Sequence, residues 1–234
     1  MSTPVASPGS AVAGSRRTRV KVCGLTRPQD LAAAVEAGVD AIGLVFYPPS
    51  RRCLTPDLAA DLRVRVPAFV SVTALFVNPD AGMVNRVIEA VHPDLLQFHG
   101  EESPDFCGGF GVRHVKAFRA GSPGMDTAAG LARACMAHGQ AAGWLFDSYS
   151  AGYGGSGSGF DTALLAEVPR GGGAPALILS GGLKSETVGA QIAALAPFAV
   201  DVSSGVESAP GIKDPERIRA FMRAVRAADA ARTS

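Results

Sequence analysis

Short β-branched or apolar runs, each followed by a stretch with helical periodicity, recur eight times between residues 19 and 227. Residues 19–23 read as a strand, and 28–37 as a helix that Gly38 stops. Residues 41–46 form the second strand, after which Thr55-Pro56-Asp57 supplies a cap residue and a first-turn proline for the next helix. The pattern continues as strand 69–77 with helix 79–90, strand 95–98 with a brief helix near 103–107, and strand 112–118 with helix 124–138. Strand 144–146 leads through a glycine-rich stretch to a short helix starting at Asp161; strand 176–179 pairs with helix 187–194, and strand 198–202 with helix 215–227. Parallel strands joined by right-handed helical crossovers close on themselves at this number, so the chain is expected to be an α/β protein, a single-domain (β/α)8 TIM barrel. An open doubly wound sheet would have fewer strands or a GxGxxG after the first strand, and that motif is absent.

Residues 1–17 are dominated by Ser, Pro, Ala, Gly and Arg and are expected to form a disordered tail, leaving 18–234 as the barrel domain. The tail's apolar stretch, Ala11-Val12-Ala13, is too short for a secretory signal. Net charge is +1, and no basic stripe alternates with aromatic residues, which argues against nucleic acid or an anionic membrane as partner. No run approaches the roughly 18 consecutive apolar residues of a membrane-spanning helix. Cys23, Cys53, Cys107 and Cys135 have no CxxC spacing, which suits reduced thiols in a cytoplasmic protein acting on a small molecule. Dispersed histidines and unpaired cysteines give no metal-ligand spacing.

In a parallel barrel the carboxyl ends of all strands share one face, and chemistry is found there. Cys23, Asp147 and Asp201 each end such a run, so residues far apart in sequence are expected around one pocket. Gly155-Ser156-Gly157, Ser180-Gly181-Gly182 and Ser203-Ser204-Gly205 follow the sixth, seventh and eighth strands. Glycine clusters often do no more than make turns, but three of them at these exits offer unobstructed N–H groups suited to a phosphate dianion. Lys21 lies two residues before Cys23 and therefore on the same strand face. It is either a salt-bridge partner inside the barrel or a cation that favours the Cys23 thiolate. His99, at the fourth strand's exit, is expected to line the pocket. Asp201 either binds ligand or orders its own loop.

Several longer words carry a resemblance: Lys21-Val22-Cys23-Gly24-Leu25-Thr26, Gly43-Leu44-Val45-Phe46-Tyr47-Pro48 with Ser50-Arg51-Arg52, and Gln97-Phe98-His99-Gly100-Glu101. The most specific is Asp201-Val202-Ser203-Ser204-Gly205-Val206-Glu207, followed by Pro210-Gly211 and Lys213-Asp214. In these words and their order the chain resembles the phosphoribosylanthranilate isomerases of tryptophan biosynthesis. The resemblance implies an Amadori rearrangement, with Asp147 as general acid and Cys23 as general base. It further implies that Arg52 clamps the anthranilate carboxylate, that Asp201 lies near the sugar hydroxyls, and that the three serine–glycine loops hold the 5′-phosphate. No cofactor or metal is implied, and both monomer and homodimer are compatible with it. The related isomerases of histidine biosynthesis carry an aspartate on the first strand, which Cys23 argues against. A non-catalytic barrel binding a phosphorylated metabolite is the rival of a different class.

Overall fold

A computed structural model describes residues 17–149 and 159–232. Eight parallel strands close a barrel in sequence order: β1 (Arg19–Cys23), β2 (Ala41–Phe46), β3 (Ser71–Phe76), β4 (Leu95–Phe98), β5 (His114–Ala120), β6 (Gly143–Ser148), β7 (Ala176–Leu179) and β8 (Ala199–Val202). β1 pairs with β8 through Arg19↔Ala199 to Val22↔Val202, and this ladder completes the ring. The expected (β/α)8 TIM barrel is therefore the observed fold. Helices α1 (Pro28–Ala37), α2 (Pro56–Arg63), α3 (Ala81–Val91), α4 (Pro104–Gly108), α5 (Ala128–Ala137), α6 (Val188–Leu195) and α7 (Pro215–Ala231) supply the crossovers, with a 3-10 turn (Thr162–Leu165) between β6 and β7.

Local sequence explains where these elements begin and end. The Thr55, Asp80, Ser103 and Asp214 side chains accept N–H bonds from the first turns of α2, α3, α4 and α7. Gly38 ends α1 in the left-handed region at φ 86°, where its N–H reaches the Ala34 and Val35 carbonyls. Strand side chains alternate between two layers. Val20, Val22, Ile42, Leu44, Val72 and Ala74 pack outward under the helices, within the main apolar core. Lys21, Cys23, Val45, Leu75, Gln97 and Asp201 take the opposite faces of their strands.

Aromatic ladders set the height of the strand ends. Phe46, Phe76 and Phe98 lie in register across β2, β3 and β4, with ring centroids 5.4 and 6.0 Å apart. Phe118 stacks on Phe146 at 5.9 Å, one residue before the Arg119↔Asp147 pair. Two fully buried ladders thus fix the points from which His99 and Asp147 leave the sheet. At the other end of the barrel the Thr18 N–H and hydroxyl both donate to Asp229 at 2.7 Å, tying the start of β1 to α7.

Several elements depart from the sequence reading. β3 begins at Ser71, since Phe69 is fully exposed with φ 69° in the loop before it. β5 runs two residues later than expected because polar Arg119 belongs to the strand. A two-stranded hairpin, β9 (Glu207–Ala209) with β10 (Ile212–Lys213), stands between β8 and α7 and was not expected. The expected tail lies outside the described residues except Arg17, which pairs with Asp40.

Candidate active site

A cavity of about 90 Å³ opens at the carboxyl end of the barrel, lined among others by Cys23, Arg52, His99, Asp147, Asp201 and the loops 180–183 and 202–205. Every site residue expected from the sequence lies there except Gly155, Ser156 and Gly157, which fall outside the described residues. Ser180, Gly181, Gly182, Ser203, Ser204 and Gly205 line the same cavity, and Gly205 packs against the Leu183 carbonyl. Those glycines serve close packing as well as open N–H groups. A Cβ on Gly181, at φ 83°, would sit 2.6 Å from the Ser148 nitrogen and 2.9 Å from Asp147 Oδ1. A Cβ on Gly205 would collide with the Leu183 carbonyl oxygen, so only glycine lets the two loops touch.

Cys23 is 5 % exposed at the end of β1. Gly43 stands beside it on β2, and a Cβ there would lie 2.7 Å from Cys23 Sγ and 3.1 Å from Lys21 Nζ. The missing side chain is thus what gives the thiol and the ammonium room at one level of the barrel. Lys21 Nζ donates to Asp201 Oδ1 at 2.9 Å. Burial alone would pull the lysine's pKa down, yet the Asp201 carboxylate and the Cys23 sulfur outweigh it and leave the ammonium's pKa raised. Lys21 is thus the buried ion-pair partner of Asp201, and its ammonium also stands beside the thiol.

The Cys23 thiol has its pKa pushed up by burial; Lys21 and Lys213 pull it down, Asp201 pushes it up, and the balance stays above the ordinary value. Cys107 and Cys135, buried away from the cavity, are pushed up to about 12. The Cys53 thiol lies 3.7 Å from the Leu54 carbonyl, and burial pushes its pKa up. All four thiols are free.

Across the cavity Asp147 Oδ1 accepts the Ser148 N–H at 2.8 Å, while Oδ2 lies 3.3 Å from His99 Nε2. Gln97 Nε2 stands 3.3 Å from His99 Nδ1, so the imidazole is held between an amide and a carboxylate. Among the described residues Asp201 caps no helix; its carboxylate pairs with Lys21.

Arg52, expected to clamp the anthranilate carboxylate, lines the cavity and is already engaged within the protein by one edge of its guanidinium. Its Nε and Nη2 donate to Glu207 Oε1 and Oε2, both at 2.7 Å, in a bidentate pair within the protein. Glu207 also receives Lys213 Nζ at 2.8 Å. Neither residue was assigned a role from the sequence, although both stand in the words that carried the resemblance. A glutamate and a lysine in a short polar hairpin give no periodic signal, and the 155-residue separation of Glu207 from Arg52 hides that contact.

Known proteins supply the comparison for this constellation. The family model described as N-(5'phosphoribosyl)anthranilate (PRA) isomerase matches residues 20–224. The chain belongs to that family. Among members of the PRA isomerase family, an N-(5'-phosphoribosyl)anthranilate isomerase of Bordetella pertussis is 60% identical over 213 residues, covering 91% of this chain and 98% of the relative. The crystal structure of phosphoribosyl anthranilate isomerase from Thermotoga maritima matches with TM-score 0.81 and 36% identity, covering 90% of this chain and 99% of that one. A second solved isomerase, 33% identical with TM-score 0.75 and covering 90% and 99%, is in complex with reduced 1-(o-carboxyphenylamino)-1-deoxyribulose 5-phosphate. PRA isomerase membership makes the chain an isomerase of tryptophan biosynthesis on a TIM barrel.

Proposed function

We propose that the cavity isomerises N-(5′-phosphoribosyl)anthranilate to 1-(2-carboxyphenylamino)-1-deoxyribulose 5-phosphate, with Asp147 as general acid and Cys23 as general base. The observation that carries this reading is the placement of one carboxyl and one thiol on opposite strands of a single cavity whose wall also holds Arg52 and the 180–183 and 202–205 loops. Asp147 gives its proton to the furanose ring oxygen; the C1′–O bond breaks, and the nitrogen lone pair forms the iminium. The Cys23 thiolate takes the C2′ proton, and the electrons of that C–H bond form the enolamine, which tautomerises to the ketone.

Lys21 has a defined part in this scheme. The thiolate is the reactive form, and burial disfavours it, so the ammonium beside Sγ and the cationic iminium both act in its favour. His99 holds the Asp147 carboxyl toward the cavity, and Asp201 keeps Lys21 in place. Arg52 takes the substrate's ring carboxylate. Ser180, Gly181, Gly182, Ser203, Ser204 and Gly205, with Gly155, Ser156 and Gly157, take the 5′-phosphate. Four free thiols support work in the cytoplasm.

The test is the fluorescence decay of freshly generated phosphoribosylanthranilate on adding the purified chain, in parallel with the corresponding histidine-pathway substrate. The expected result is rapid loss of the first with no action on the second, and a fall of about 100-fold or more for Asp147→Asn. Retention of phosphoribosylanthranilate unchanged would contradict the reading in favour of a binding barrel, and turnover of both substrates would contradict its specificity.

A further inference from the structure

The wall that carries Arg52 holds an arrangement of charge that proton transfer between Asp147, Cys23 and substrate does not require. Glu207 occupies the Nε–Nη2 edge of the Arg52 guanidinium in full, at 2.7 Å on both bonds. A guanidinium has five N–H donors, and a carboxylate on that edge leaves the Nη1–Nη2 edge able to receive another. Arg52 Nη1 has no partner among the described residues, and the side chain lines the cavity. Position is thus provided, but an arginine neutralised by a glutamate is a poor anion receptor: an incoming carboxylate would meet Glu207's charge at close range.

Lys213 answers this. Its side chain is wholly buried, and its three donors find three acceptors: Glu207 Oε1 at 2.8 Å, the Ser203 carbonyl at 3.1 Å and Ser203 Oγ at 3.2 Å. That full satisfaction suits an ammonium. The neighbouring charges cancel in pairs. Arg217, which reaches the Glu207 carbonyl, faces Asp214 at 3.7 Å; Asp30, which accepts the Lys213 N–H, is bridged by Arg27; Lys21 is bridged by Asp201. Arg52, Glu207 and Lys213 together therefore carry a single net positive charge, with Arg52 as the member that lines the cavity. The same lysine anchors the site backbone, because Ser203 Oγ, accepting from Lys213, donates to the Cys23 carbonyl at 3.0 Å.

We infer that Glu207 and Lys213 form a specificity device for the ring carboxylate of the substrate: Glu207 orients Arg52 by one edge, and Lys213 restores the positive charge that Glu207 removes. Both are positioning residues acting through Arg52. The inference rests on the proposed role of Arg52, and the experiment separates the two.

The kcat and KM values are measured for phosphoribosylanthranilate and for the analogue built on aniline, which lacks the carboxylate, in the wild type and in Arg52→Met, Lys213→Met and Lys213→Met/Glu207→Gln. Arg52→Met is expected to abolish the preference for the carboxylated substrate; if the preference survives, the role of Arg52 fails and the inference falls with it. Lys213→Met is expected to cut the preference by about tenfold or more, chiefly through KM, because it leaves Glu207 facing the incoming carboxylate. Adding Glu207→Gln removes that opposing charge and is expected to recover part of the preference, which a purely structural lysine would not allow. A preference unchanged in Lys213→Met, or one that Glu207→Gln lowers further, would overturn the inference while leaving the role of Arg52 intact. If Lys213→Met alone does not fold, the double variant is compared with Arg52→Met. A preference above that of Arg52→Met supports the device, and one equal to it contradicts the device.

Discussion

Lys116–Glu102 and Lys21–Asp201 are both buried lysine–carboxylate pairs, and they differ in what stands beside them. Lys116 meets Glu102 at 3.0 Å, and each is otherwise occupied by the backbone: Lys116 donates to the Phe98 and Gly100 carbonyls, and Glu102 accepts the Asn78 and Gly100 N–H groups. That pair stitches the loops after β3 and β4 together and leaves no polar atom of its own to react. Lys21 meets Asp201 at a similar 2.9 Å, but its other neighbour is a thiol facing a cavity. A buried charge pair alone therefore does not mark a site. What differs at Lys21–Asp201 is a thiol, given room by Gly43, that faces a cavity within the pair's field.

Substitution of the two lysines gives the sharpest contrast. Lys116→Met leaves Glu102 buried with a missing partner and is expected to cost about 3–5 kcal/mol of folding stability, read from the urea midpoint. Turnover at a temperature where the variant is folded is expected to change far less than the midpoint. Lys21→Met is expected to lower stability too, but in addition to change the chemistry of Cys23. With the ammonium gone, the thiol's pKa rises further, so iodoacetamide labelling of Cys23 at neutral pH is expected to slow by about tenfold. Equal labelling rates with and without Lys21 would erase the distinction between the pairs.

The four cysteines show the same division. Labelling of native protein is expected to reach Cys23 as pH rises, while Cys107 and Cys135, held near 12 by burial, stay unmodified until the chain unfolds. Peptide mapping after timed labelling checks this, and early modification of Cys107 would contradict it.

Glu207 gives the smallest effect and a defined sign. Burial pushes its pKa up, but the bond from Arg52 and the charge of Lys213 outweigh burial and leave it lowered. Its contribution to stability is therefore complete above the ordinary glutamate value of the unfolded chain and is lost as pH falls through the lower folded value. Between about pH 6 and pH 3 the wild type is expected to lose more stability than Glu207→Gln. Parallel losses in the two proteins would show that the pair is not linked to folding.

How much of this was legible in the sequence depends on how local the signal is. β1, α1, β2, β4 and β7 carry the bounds read from the chain alone, because each is a compact apolar run or is closed by a residue such as Gly38. Phe69 misled the reading of β3 because an apolar side chain in an exposed loop looks like a strand residue. Arg119 hid the end of β5, since a barrel interior accepts a charge where an exposed sheet pattern would place one outside. In the site, Cys23, Asp147 and Asp201 were readable from their places at strand ends. The Arg52–Glu207–Lys213 wall was not, because it joins distant segments through a hairpin too short and polar to show a period.

Phosphoribosylanthranilate turnover by Cys23→Ala and Cys107→Ala, compared in one fluorescence assay with folding of both verified by urea titration, decides whether the β1 thiol acts as the base. A fall of about 100-fold or more is expected for Cys23→Ala, and near wild-type turnover for Cys107→Ala. Near wild-type turnover by folded Cys23→Ala would contradict the assignment of the β1 thiol as the base.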